Sequence, residues 1–117
     1  MHKFRKLSVW QKSIEFVTFI YKVTSEYPKS EMFGLVDQIR RASVSITLNI
    51  AEGSGAGTDM EFIRFLRMAQ RSGYEVIAAL EISINLKMSE EKLLKNAIIK
   101  VDELGAMIAG LIKSLKK

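Results

Sequence analysis

Four stretches of the chain repeat apolar residues at the three-and-four spacing of an amphipathic helix, with short polar breaks between them. The breaks are Tyr27-Pro28-Lys29-Ser30, which holds the only proline, the glycine-rich run Gly53-Ser54-Gly55-Ala56-Gly57-Thr58, and Lys87-Met88-Ser89. The spacing predicts helices over roughly 8–26, 31–52, 59–87 and 90–115. In the first, Trp10, Ile14, Val17 and Tyr21 line one stripe and Val9, Phe16, Ile20, Val23 and Tyr27 an adjacent one. That arc is wider than a single neighbour requires. Ser8, with Gln11 three residues on, has the spacing of a capping box. The second helix turns Leu35, Ile39, Ala42, Ile46 and Ile50 inward, and Gly53 is expected just past its end in a left-handed conformation. The third opens on Thr58-Asp59-Met60-Glu61, a capping box with acid in its first turn, and then buries Phe62, Phe65, Leu66, Ala69, Gly73, Val76 and Leu80. The fourth, expected to be capped by Ser89, keeps Leu93, Ala97, Val101, Leu104, Ile108, Leu111 and Leu115 on one stripe. Lys113, Lys116 and Lys117 suit its negative end. No stretch sustains a period of two, so no strand is expected. The pattern implies one all-α domain over 1–117, an up-down-up-down antiparallel four-helix bundle.

Composition agrees and adds one tension. The 117 residues are 48% hydrophobic and 26% charged, with no cysteine, which excludes disulfide frameworks, thiolate zinc sites and cysteine nucleophiles. A mean hydropathy of +0.08 is high for so short a chain, because a small monomer has little interior in which to hide apolar material. The surplus can be located. Phe19 lies outside both stripes of the first helix, Val44 and Leu48 face away from the core of the second, and Ile99, Ala106 and Gly110 form a strip behind the core of the fourth. Apolar clusters on three helices at once imply a homo-oligomer. The basic beginning does not read as a signal peptide, and the longest charge-free body stretch, Ala42 to Ala51, is far shorter than a membrane span. The expectation is a soluble, cytoplasmic protein with no membrane partner.

The net charge of +5 is unevenly spread, since the first twelve residues carry Lys3, Arg5, Lys6 and Lys12 and no acid. Arg64, Arg67 and Arg71 follow at i, i+3 and i+7 on one line of the third helix, a spacing able to track a phosphate backbone. Local pairing competes for these charges: Glu61 with Arg64, Glu75 with Arg71, and Asp37 with Arg40 or Arg41. No row of Phe or Tyr runs among the basic residues, so base stacking is not expected and sequence preference should be weak. Catalysis has little to work with. The only histidine is His2, no glutamate falls on a clear core stripe, and neither a metal centre nor a Ser-His-Asp arrangement can be assembled. No cofactor and no catalytic residue is expected. The glycine-rich run lacks the lysine of a P-loop and the preceding strand of a dinucleotide fingerprint, and reads as a hairpin loop. Glu52, a carboxylate at the negative end of a helix, needs compensation from loop N–H groups or from a neighbouring subunit's cation, and reads as a structural latch.

These residues also carry a resemblance. Phe4-Arg5-Lys6-Leu7-Ser8-Val9-Trp10-Gln11-Lys12, Phe33-Gly34-Leu35, Gln38-Ile39-Arg40-Arg41-Ala42, Ser45-Ile46, Asn49-Ile50-Ala51-Glu52-Gly53 and Glu61-Phe62 with Phe65-Leu66 resemble the bacterial 23S rRNA intervening-sequence proteins. The match covers nearly the whole chain in order. It departs at Thr47-Leu48, where that family commonly has Pro-Ser, and at Arg71, where it commonly has Gly before Ser. The first departure should straighten the second helix; the second adds the third arginine of the row. Asn49, Glu52, Gly53 and Thr58 stand out as structural positions. Members are encoded within insertions of the large-subunit ribosomal RNA gene or free-standing. A related branch resembles accessory proteins of diversity-generating retroelements, basic pentameric bundles that bind nucleic acid and a reverse transcriptase. The resemblance implies a ring-like oligomer, a pentamer above all, with RNA or DNA as partner and no catalytic residues. A protein-interaction adaptor that docks a polypeptide through Val44, Leu48 and Ile99 is the alternative.

Overall fold

A computed structural model describes residues 3–116, so the readings placed on His2 and Lys117 lie outside the described residues. A 3-10 turn at Lys3–Lys6 leads into α1 (Ser8–Thr24), a second 3-10 turn at Lys29–Glu31 leads into α2 (Leu35–Ser54), and α3 (Asp59–Asn85) and α4 (Glu91–Leu115) follow. Each helix packs on the next, and α4 closes against α1. This is the antiparallel four-helix bundle expected, a rod of 44 × 23 × 19 Å. The α2–α3 interface is the broadest, and the α1–α4 seam is the thinnest.

The core is filled from one stripe of each helix: Phe16, Ile20 and Val23; Ile39, Ile46 and Ile50; Leu66, Val76 and Leu80; Leu94, Val101, Leu104 and Ile108. Of the two stripes on α1, the one with Val9, Phe16 and Ile20 is buried, while Ile14 and Tyr21 reach the surface. On α4 the buried stripe runs one position later at its ends than the spacing predicts, through Leu94 and Ile112, with Leu93, Leu111 and Leu115 packed at its margin. Two small polar contacts stitch the helices. Thr47 donates from its hydroxyl to Ser13 Oγ across α1–α2 at 2.9 Å, and the Ser45 and Ser72 hydroxyls meet across α2–α3 at 2.8 Å. Asn49 steadies the second contact by donating to Ser45 Oγ at 3.1 Å and to the Ser45 carbonyl at 2.9 Å. As expected of a stretch without proline, α2 passes Thr47-Leu48 unbroken.

Three helix ends differ from the sequence expectation. Ser8 does not cap α1. Leu7 holds that position with no side-chain bond, and Gln11 donates instead to the Arg5 carbonyl at 2.8 Å, binding the basic 3-10 turn to the helix. Ser89 does not cap α4 either, because Glu90 precedes its first turn without a side-chain bond. Gly53 is not a left-handed terminator but a buried residue inside α2. A Cβ there would lie 2.7 Å from Phe65 Cβ and 2.9 Å from Phe62 Cδ1, so this glycine sets how closely α2 and α3 approach. The left-handed glycine of the loop is Gly57, with φ of 96°. Thr58 caps α3 as expected, its Oγ1 accepting from Glu61 N at 3.1 Å. At the other end of α3, Lys87 takes φ of 56°, and the N–H groups of Lys87 and Met88 donate to the Ile84 and Ser83 carbonyls at 3.1 and 2.9 Å. These are the two hydrogen bonds of a Schellman motif, formed around a lysine.

Candidate nucleic-acid interface

The amino-terminal basic turn is anchored rather than loose. Phe4 stacks edge-on against Trp10 with ring centroids 5.0 Å apart, and Leu7 N donates to the Phe4 carbonyl at 3.0 Å. Lys3, Arg5 and Lys6 are held on the outside of this turn, exposed. Lys3 lines a cleft with Gly57, Thr58, Asp59 and Leu115, which places it at the start of α3 and beside the last turn of α4, where Lys113 lies. Lys12 is separated from it. It pairs weakly with Glu15 at 3.7 Å and lines a different cleft, between α1 and α4.

The arginine row runs along the solvent side of α3, starting in its second turn, and its three members differ electrostatically. Arg64 donates from Nη2 to Glu61 Oε1 at 3.0 Å and from Nε to both carboxylate oxygens at 3.2 Å, and its guanidinium covers the Phe65 ring at 4.7 Å. The guanidinium's hydrogen bonds hold the Glu61 carboxyl below the usual carboxylate range, and the carboxylate in turn raises the arginine. Glu61 is thus spent on Arg64 rather than folded back to complete the capping box. Arg67 and Arg71 are exposed and, among the described residues, unpaired; the expected Arg71–Glu75 pair does not form. Arg41 pairs with Asp37 at 3.0 Å, as the spacing implies. Arg40 turns away from Asp37, donating to Thr24 Oγ1 at 2.9 Å and lying 4.3 Å over the Tyr21 ring, so it clamps α2 to α1.

The basic residues therefore do not converge on one surface. Lys3 reaches the amino-terminal end of α3, Arg67 and Arg71 project from its middle, and Lys12 faces the α1–α4 seam. One residue absent from the sequence reading stands with the arginines. Tyr74 is 69% exposed, three residues after Arg71 and seven after Arg67, which puts its ring in line with them. That spacing was its signal.

The residues singled out as surplus apolar surface fall on three faces. Leu48 is 56% exposed and shares an open groove of ≈ 660 Å³ along α1 and α2 with half-buried Val44 and with Met32, Phe33 and Tyr21. Phe33, named in the sequence only as part of the resemblance and not as surplus apolar surface, is 94% exposed. Ile99 is 57% exposed on α4, and Ala106 and Gly110 are open beside it on that helix. Phe19 is half-buried beneath the Lys100 ammonium, 5.1 Å from its ring, at the α1–α4 seam. Glu52 lines the α1–α2 groove with an exposed carboxylate. The latch from the loop is not made: Gly55 and Ala56 N–H groups donate to the Glu52 and Gly53 carbonyls instead. Among the described residues no group of three or more His, Asp or Glu is placed to hold a metal ion, and no described helix is long and apolar enough to cross a membrane.

Residues 5–110 match the family described as 23S rRNA-intervening sequence protein. A solved structure of a protein of unknown function from the S23 ribosomal protein family of Bacteroides thetaiotaomicron is similar, with a TM-score of 0.83 and 25% identity over 90% of this chain and 98% of that one. No curated protein matches the chain.

Proposed function

The chain belongs to the 23S rRNA-intervening sequence protein family, and within that family we propose that it is a non-enzymatic, cytoplasmic homo-oligomer that binds RNA or DNA through phosphate contacts. The observation that carries this reading is the pair Arg67 and Arg71, two exposed guanidinium groups a helical turn apart with no acidic partner among the described residues, while Arg41 and Arg64 are each tied to a carboxylate. Unpaired charge at that spacing can replace the counterions of consecutive phosphates. Lys3 adds charge at the amino-terminal end of α3, Arg5 and Lys6 are exposed on the same 3-10 turn, and these with Arg64 and Lys12 contribute field, while Arg67 and Arg71 make the direct contacts. The reading includes assembly into a ring, with five copies favoured. Repetition converts a weak single-subunit contact into avidity, and the exposed Phe33, Leu48 and Ile99 supply apolar surface for it.

The test is a titration of structured RNA at two salt concentrations on a sample sized by light scattering. Binding that weakens steeply with salt, an oligomer in solution, and a shallower salt slope for Arg67→Glu with Arg71→Glu are the expected results. Salt-independent binding, or a monomer at high concentration, overturns the proposal. Docking of a polypeptide is the second reading, favoured by one observation: the Phe33 ring stands almost wholly in solvent above the Leu48 groove. Under it, the double charge reversal leaves partner binding intact.

A further inference from the structure

Between α3 and α4 lies a slot of ≈ 250 Å³ that the core does not fill. Two facing glycines keep it open. A Cβ at Gly105 would meet nothing within 4 Å, and one at Gly73 would touch only Val101 Cγ2, at 3.8 Å. The slot's floor is apolar, Ile77 forms part of its wall, and the exposed Tyr74 ring stands at its mouth. Two polar residues also line it, half-buried Gln70 and exposed Asp102, and neither side chain has a hydrogen bond or ion pair among the described residues. An apolar cleft with polar side chains at its rim that are free to bond, and an exposed aromatic ring beside them, has the make-up of a ligand site. Arg67 precedes Gln70 by three residues and Tyr74 by seven, and Arg71 precedes Tyr74 by three, so the unpaired guanidinium groups border this same stretch of α3.

We propose that this slot takes a single unstacked nucleobase, guanine by preference, from a strand whose phosphates lie on Arg67 and Arg71. The proposal rests on the nucleic-acid reading above and deepens it to a substrate class: single-stranded or looped nucleic acid. The volume of ≈ 250 Å³ is of the order of a single base, and Tyr74 is among the residues that line it. A carboxylate only accepts hydrogen bonds, and among the four bases the Watson–Crick edge of guanine alone offers two adjacent donors, N1–H and N2–H. Adenine and cytosine place an acceptor beside their amino group, and uracil flanks its one donor with two carbonyls, each of which repels Asp102. A paired base has this edge occupied and both faces stacked, so a duplex cannot deliver it. Tyr74 supplies a stacking surface that the sequence reading did not anticipate among the arginines.

The test uses the full chain and three labelled probes: a uridine-rich RNA strand bearing spaced guanines, the same strand with adenine at those positions, and an RNA duplex. Wild type is expected to bind the guanine strand about tenfold more tightly than the adenine strand. Tyr74→Ala is expected to lose about tenfold on the guanine strand and nothing on the duplex, with Tyr74→Phe restoring the affinity. Asp102→Asn should erase the preference for guanine. Gly105→Leu, which fills the slot, should reproduce the Tyr74→Ala loss with the subunit number unchanged by light scattering. Equal binding of both strands with a silent Tyr74→Ala overturns the slot. So does a Gly105→Leu protein that changes subunit number but keeps its RNA affinity, since the slot is then a contact between copies. Salt-sensitive duplex binding with a silent Tyr74→Ala leaves the phosphate reading standing, whereas failure to bind any probe at low salt removes both.

Discussion

Tyr27 is where a single side chain sets a measurable property. Its ring is buried at the end of α1, and its hydroxyl is the one buried side-chain polar atom without a hydrogen bond of good geometry among the described residues. The nearby Ser83 hydroxyl is already donated to the Ala79 carbonyl at 2.8 Å. Burial pushes the Tyr27 phenol above its ordinary value, and Ser83 offsets this only in part. The unfolded phenol therefore loses its proton near pH 10 while the folded one keeps it, so stability falls as pH rises past about 10. Urea unfolding should find Tyr27→Phe at least as stable as wild type at pH 7, by up to about 1 kcal/mol, and ahead by more at pH 10.5. An equal alkaline loss in both proteins would count against this account. Legibility at this scale was uneven. The Glu61–Arg64 and Asp37–Arg41 pairs could be foreseen because both partners lie on one helix. The clamp of Arg40 on Thr24 and Tyr21 could not, because its partners belong to another helix and only the packing of α2 on α1 brings them within reach.

Among the elements, α3 carries the candidate site, and Gly53 sets its separation from α2. Its motif, a glycine after Glu52 at the head of a glycine-rich run, has the local signature of a helix terminator. The deciding contact, with Phe62 and Phe65, comes from the next helix and leaves no local trace. Gly53→Ala gains helix propensity of up to about 1 kcal/mol, but it drives a Cβ into Phe65 Cβ, which is fixed to the backbone, at a cost of about 1–3 kcal/mol. A net loss of up to about 2 kcal/mol is expected by denaturant titration. Gly55→Ala, whose Cβ would sit 3.8 Å from its nearest contact, should be close to neutral. Equal effects at the two positions would remove the close-approach argument. Element existence and order were legible because burial imposes a 3.6-residue period on every helix. The caps at Ser8 and Ser89 were not, since a serine competes with whatever the preceding turn already satisfies; at Thr58, by contrast, nothing but the loop precedes the helix.

On the scale of the whole molecule, surplus apolar residues were recognisable on three helices, but their distribution was not. Leu48 lies in the α1–α2 groove, Ile99 and Gly110 on the outside of α4, and Phe19 within the α1–α4 seam. Sequence periodicity names the face of a helix without saying which neighbour lies against it, and Phe33 escaped because it sits in a turn, where no period applies. The basic residues followed the same rule: their identities were evident, their grouping was not. The inequality of the four interfaces has a kinetic corollary. With α2 and α3 the most extensively joined and α1 held to α4 by the least contact, the rod should breathe like a book opened from its free edge. Its first helix would lift away from its fourth while the α2–α3 spine stays shut. Deuterium uptake should then reach the amides of α1 before those of α2 and α3, and uniform uptake along all four would show the rod opening only as a whole.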